Sequence, residues 1–231
     1  MPRARFSFEG DLSLFLLPSQ RGLELERSWT DTDTTMHVIE SIGIPHTEVG
    51  RIERDGDLIR VYPPDPERLD KPHFILDQHL GRLAAYLRML GFDVLHTVPS
   101  PDEQLAATSS REDRVRLTRD VGLLKRKEVR RGYFVRSTNP RTQLAEVVHR
   151  FSLLQSVAPF TRCIHCNTPL RPVDKALIVD QLPDRVAEVF DEFTQCPTCL
   201  RVYWKGSHYD RMQALIAQMR DARGYYNQGR E

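Results

Sequence analysis

The chain of 231 residues carries 33 basic and 32 acidic side chains, a formal net charge of +1. That length suits one large domain or two to three small ones, and 40% hydrophobic with 28% charged residues excludes a disordered chain. Neutrality would argue against a nucleic-acid partner only if the charge were evenly spread. Instead residues 1–70 hold 8 basic and 14 acidic side chains, whereas residues 71–160 hold 15 and 9. No run approaches the ~18 apolar residues of a membrane helix. Glu9 and Asp11 interrupt the apolar start, so no signal peptide is expected and the cytoplasm is the expected compartment.

In chain order, RFSFE alternates and Leu12 to Leu17 is apolar, a pattern that predicts a hairpin. MHVIESIGIP predicts a short helix closed by Gly43 and Pro45, and LIRVYP at 58–63 a strand. PPDPERLDKP, with four prolines and no periodicity, predicts a linker. HFILD then reads as a strand. In HLGRLAAYLRMLG, Leu80, Leu83, Ala84, Leu87 and Leu90 share one helical face, and Gly91 stops the helix. FDVLH, VRLT and YFVR read as further strands, alternating with helices at SPDEQLAATSS, VGLLKRKEVRRG and PRTQLAEVVHRF. Four strands alternating with helices predict an α/β fold with a parallel sheet. DRMQALIAQMRDAR predicts a final helix.

Four cysteines form two pairs, Cys163/Cys166 and Cys196/Cys199, each with two residues between ligands and 29 between the pairs. Two such turns present four thiolates to one tetrahedral Zn²⁺, a closed structural site. Disulfides or a redox pair are the other readings, and a reducing compartment disfavours them. His165 and His208 are spare candidates beside the cysteines, with ordinary surface or packing roles as their other reading.

Ligands of parallel α/β sheets bind beyond the carboxyl ends of the strands. Asp77 ends the first strand of the middle region, Asp120 follows VRLT by two residues, and Asp102 opens the helix after the second strand. Three acids on one rim repel each other unless a cation such as Mg²⁺ or Mn²⁺ neutralises them. Each also has a plain reading as a helix cap or a dipole partner. From Arg111 to Arg141 there are eleven basic and four acidic residues, with Lys125, Arg126, Lys127, Arg130 and Arg131 expected on one helix and its end. Such a cluster suits a polyanion, or is simply a solvated helix face.

FILDQHLGRLAAYLRMLGFDVLH, RVRLTRDVGLL and CIHC…CPTC with RVYWKGSH together resemble the mut-seven C-terminal RNase domain family over residues 73–212. IESIGIPHTEVG with RVYPP resembles the ubiquitin-like domain often fused ahead of it. The resemblance implies a PIN-like, Rossmann-like α/β fold and metal-dependent RNA cleavage, with the acidic positions falling on Asp77, Asp102 and Asp120. It also places Arg82 and Arg88 on the first helix, and Arg119 in the TRD motif, where each would contact phosphate. Surface salt bridges are the alternative for these arginines.

Two departures from the family pattern stand out. Gly122 occupies a place where PIN domains often carry a further acid, and the N-terminal domain looks short of one hairpin. The expected organisation is a ubiquitin-like β-grasp domain at 1–64, a linker at 65–72, a PIN-like RNase domain at 73–158, and a zinc ribbon with the final helix at 159–231. The expected activity is a divalent-metal-dependent ribonuclease with RNA as partner. The rival is a non-catalytic RNA- or ribosome-associated binding module. The acidic N-terminal domain is expected either to bind a protein partner or to fold over the basic face.

Overall fold

The computed structural model describes residues 3–30, 32–70, 72–96 and 110–227, the last six by backbone alone. Two compact units result: Met1–Glu67 with His73–Leu80 and His96–Ser137, and Arg68–Pro72 with Gly81–Leu95 and Thr138–Glu231. No helix among the described residues is long and apolar enough to cross a membrane.

The first unit begins with β1 (Arg3–Phe8), β2 (Leu25–Ser28), α1 (Thr35–Ile42), β3 (Ile52–Asp55) and β4 (Leu58–Val61). The sheet order is β2-β1-β4-β3, with β1 and β4 parallel in the centre and both edges antiparallel, which is the β-grasp arrangement. Alternation in β1 sends Ala4, Phe6 and Phe8 into a core shared with Val38 and Ile39 of α1 and Ile59 and Val61 of β4. Thr34 caps α1 by accepting the His37 N–H, and Gly43, at φ 131°, closes it.

Two expectations change here. Residues 12–17 form no strand, because Gly10–Phe15 is a 3-10 helix and a second short turn covers Pro18–Gln20. Leu12 and Leu16 are buried while Leu14 and Leu17 are exposed, a spacing of four rather than two. The partner of β1 is instead β2. The N-terminal sheet also has the hairpin that looked absent. β3 pairs with β4 across a two-residue turn in which Gly56 adopts φ 61°, the conformation that hairpin turns ask of glycine.

The middle sheet comprises β5 (His73–Leu76), β6 (Asp93–His96), β7 (Val115–Thr118) and β8 (Gly132–Phe134) in the order β6-β5-β7-β8. β5 with β7, and β7 with β8, are parallel, in register Leu76↔Leu117 and Thr118↔Phe134. All four residues of β7 are buried, as a central strand requires. α2 (Gly81–Met89) buries Leu83, Ala84 and Leu87, with Leu80 and Leu90 at its ends, as the periodicity predicts. After it Gly91 adopts φ 95°, and a Cβ there would lie 2.1 Å from the Ala158 carbonyl oxygen.

The expected basic helix is a single turn, α3 (Val121–Leu124). Leu123, Leu124 and Val129 are all buried, and a gap of five from Leu124 to Val129 lies off any helical face, so the chain unwinds to deliver Val129. α4 (Pro140–Arg150) follows, with Asn139 accepting the N–H groups of Arg141 and Thr142 and proline in the first turn.

The C-terminal part of the second unit has a three-stranded antiparallel sheet, order β11-β10-β9, built from β9 (Arg171–Val173), β10 (Phe193–Gln195) and β11 (Val202–Tyr203). A short α5 (Asp184–Val189) lies between β9 and β10, and α6 (Ser207–Asn227) ends the chain's described part.

Candidate active site

Asp77 follows β5 and Asp120 follows β7 by two residues, so adjacent parallel strands deliver both acids to one edge of the sheet. Thr118, fully buried at the end of β7, joins them. Its hydroxyl donates a short hydrogen bond to Asp77 Oδ2 and accepts the Asp120 N–H at 2.8 Å. The Arg119 N–H adds a longer bond of 3.4 Å to the same Asp77 oxygen.

The other Asp77 oxygen, Oδ1, is buried and has no hydrogen-bond partner among the described residues. It lies 3.7 Å from Nη1 of Arg116, a residue with no solvent exposure. Burial pushes the Asp77 carboxyl above its ordinary value, and the Asp120 charge pushes the same way, against the Thr118 bond and the Arg116 charge. Asp120 also realises its plain reading. Its Oδ1 caps α3 by accepting the N–H groups of Gly122 at 2.7 Å and Leu123 at 3.4 Å. Asp102 lies outside the described residues.

The cations expected to meet phosphate divide sharply. Arg88 is buried at 8% exposure, and its guanidinium donates to the carbonyls of Val94, Ile164 and His165. It braces the first CxxC turn instead of reaching outward. Arg119 Nη1 donates to the carbonyls of Val135, Arg136 and Ser137 at 2.7–2.9 Å, so it ties down the chain after β8. Lys125 Nζ donates to the Glu40 carbonyl, and Arg131 lies 3.4 Å from Asp113. Arg126 is half-buried, while Arg82, Lys127 and Arg130 are exposed. The single-turn α3 means that residues 126–131 do not form the expected basic helix face.

The four cysteines converge, with their sulfurs all within 4.8 Å of one another. Cys163 and Cys199 are 3.6 Å apart, and Cys166 and Cys196 are 3.3 Å apart. A disulfide needs about 2.05 Å, whereas zinc at about 2.3 Å from each sulfur sets tetrahedral edges near 3.8 Å. The donors therefore fit zinc and not disulfides. The two turns are also alike: Asn167 and Leu200, each directly after a second cysteine, both adopt positive φ and donate back to the first cysteine's carbonyl. Among the described residues no histidine joins this set.

A family model described as Mut7-C RNAse domain matches residues 72–216. The chain belongs to the Mut7-C RNAse domain family. A second model, Mut7-C ubiquitin, matches residues 1–62. Comparison with curated proteins and with solved structures found no match. Membership supports an RNase-like function and RNA as the partner of the Mut7-C RNAse domain.

Two members of the site escaped sequence reasoning. Thr118 was legible only as a strand residue, although the T-R-D spacing sets its hydroxyl one residue before the Asp120 amide's neighbour. Arg116 gave one signal, a charge inside the strand VRLT. The central strand β7 buries both its faces, so that charge had to be accommodated within the core.

Proposed function

We propose that this protein is a divalent-metal-dependent ribonuclease that hydrolyses RNA phosphodiester bonds, with Asp77 and Asp120 as the core of its metal site. Asp102 is assigned to the same site from the sequence pattern. The observation that carries this reading is the pairing of the two acids through Thr118, with the buried Asp77 Oδ1 left without a hydrogen bond among the described residues. Two neighbouring carboxylates, one with an oxygen that meets only the Arg116 charge among the described residues, suit a hard cation with oxygen ligands, Mg²⁺ or Mn²⁺. Such an ion supplies Lewis acidity toward water and phosphate.

The chain's own groups do the rest. Thr118 orients the Asp77 carboxylate, the α3 amides orient that of Asp120, and exposed Arg82, Lys127 and Arg130 offer charge to the RNA backbone. The cysteine cluster holds zinc and stabilises the C-terminal sheet.

A non-catalytic RNA-binding module is the second reading, favoured by Gly122, which offers Asp120 a backbone N–H at a place where PIN-like domains often carry an acid. Cleavage of labelled RNA with Mg²⁺ or Mn²⁺ separates the two, using wild type and the double variant Asp77→Asn/Asp120→Asn. Asparagine retains an acceptor oxygen for Thr118 and is as good an N-cap as aspartate, so the variant loses charge and not its fold. The expected outcome is metal-dependent cleavage in wild type, abolished in the variant with RNA binding kept. Equal cleavage by both removes the assignment, and binding without cleavage in wild type selects the second reading.

A further inference from the structure

The N-terminal domain meets the nuclease module around a buried carboxylate. Glu48, in the 3-10 turn His46–Glu48, is 2% exposed. Its Oε1 accepts the Phe134 N–H at 2.5 Å, and its Oε2 accepts from Arg136 Nη2 at 2.7 Å. Asp11 lies 2.8 Å from Arg136 Nε. The Phe15 ring meets Phe134 edge-on at 5.3 Å, and the Arg136 guanidinium sits 4.9 Å from the Tyr133 ring centre. Two polar contacts flank this core: His46 Nε2 with the Val129 carbonyl at 2.9 Å, and Lys125 Nζ with the Glu40 carbonyl at 2.7 Å.

The segment held by Glu48 is the same one that supports the acid pair. The Val135 N–H donates to the Thr118 carbonyl at 2.8 Å, and Arg119 Nη1 collects the carbonyls of Val135, Arg136 and Ser137. Thr118 and the Arg119 amide in turn hold Asp77, and Thr118 holds the Asp120 amide. Residues 134–137 are thus clamped between a carboxylate of the N-terminal domain and the strand end that carries the site. A buried carboxylate is costly, and here its two oxygens go to the backbone and the arginine of one four-residue segment. The open face of the N-terminal sheet is different in kind, carrying exposed ion pairs such as Arg3–Glu26 and Arg5–Asp57.

We propose that the N-terminal domain acts in cis as part of the nuclease site, with Glu48 as a positioning residue that fixes residues 134–137 and through them Thr118, Arg119 and the Asp77–Asp120 pair. This rests on the ribonuclease reading and assigns the acidic domain an internal task in place of a recruiting one. Residues that orient a metal's ligands commonly change affinity or activity by about 10–100-fold when removed.

The test uses the full chain with Glu48→Gln, which can still accept the Phe134 N–H but loses the charge, Glu48→Ala, which loses both contacts, and Glu26→Gln as an exposed control. Amide hydrogen exchange is followed at residues 115–120, at 134–137 and in the buried strand β5, beside RNA cleavage with Mg²⁺. For Glu48→Ala the expected result is about tenfold faster exchange in both 134–137 and 118–120 with β5 unchanged, and kcat lowered about tenfold at nearly constant KM. Glu48→Gln falls between, and the control matches wild type. If Glu48→Ala does not fold, Glu48→Gln reads the same amides. Faster exchange confined to 134–137 with unchanged kcat overturns the proposal, as does equal loosening of β5. Wild type without cleavage removes the ribonuclease reading instead, and the exchange pattern then decides the coupling alone.

Discussion

Arg88 discriminates most clearly between a phosphate contact and an internal strut. Its guanidinium makes four hydrogen bonds to three carbonyls, two to Val94 and one each to Ile164 and His165, at 2.8–3.3 Å. Arg88→Met keeps the apolar stem and removes every donor. A hydrogen bond from a charged donor contributes about 1.5–3 kcal/mol, and a buried carbonyl left without a partner costs about 1–3 kcal/mol. The four bonds share one group and are not additive, so a loss of about 3 kcal/mol is expected. At about 2–4 °C per kcal/mol for a chain of this size, the thermal midpoint should fall by about 6–12 °C. Circular dichroism melting in zinc-containing buffer measures this, with RNA affinity taken on the folded protein at low temperature. A midpoint within about 2 °C of wild type together with weakened RNA binding would show that Arg88 serves phosphate, and the strut would be refuted.

Metal analysis of the purified protein should find about one zinc per chain, with free thiols appearing on chelation, whereas thiol-free protein without zinc would mean disulfides. Glu48 sets a pH dependence of stability. Burial outweighs the Arg136 pair and raises its carboxyl above the ordinary 4.5, so the folded state binds the proton more tightly than the unfolded one. Its stabilising contribution is therefore complete below about pH 4.5 and lost as pH rises toward the folded value. Urea midpoints measured upward from pH 4.5 should decline with a slope that Glu48→Gln flattens, and identical slopes would contradict the raised value.

The sequence by itself determined most of the local architecture. The five-residue apolar face of 80–90, the alternation of Phe6 and Phe8, and the stop at Gly91 all follow from periodicity and from one backbone conformation that only glycine enters cheaply. The convergence of the four cysteines was legible for the same reason, since two residues between cysteines define a turn without reference to the rest of the chain. The placement of Asp77 and Asp120 at one edge was legible from topology, because strand ends of a parallel sheet fall on one side.

What periodicity did not reveal shares a cause as well. The conformations of Leu12–Leu17 and of the basic run 125–131, and the carbonyl contacts of Arg88 and Arg119, depend on what each residue meets elsewhere in the chain. An arginine reads as a charge awaiting a phosphate, while its guanidinium is also a fork of donors that can close on carbonyls 6 to 77 residues away. Composition suggested an acidic domain set against a basic one. Tertiary structure decided that the two meet through Glu48 and Arg136, at a strand edge where a buried carboxylate is stable only because both of its oxygens are satisfied there.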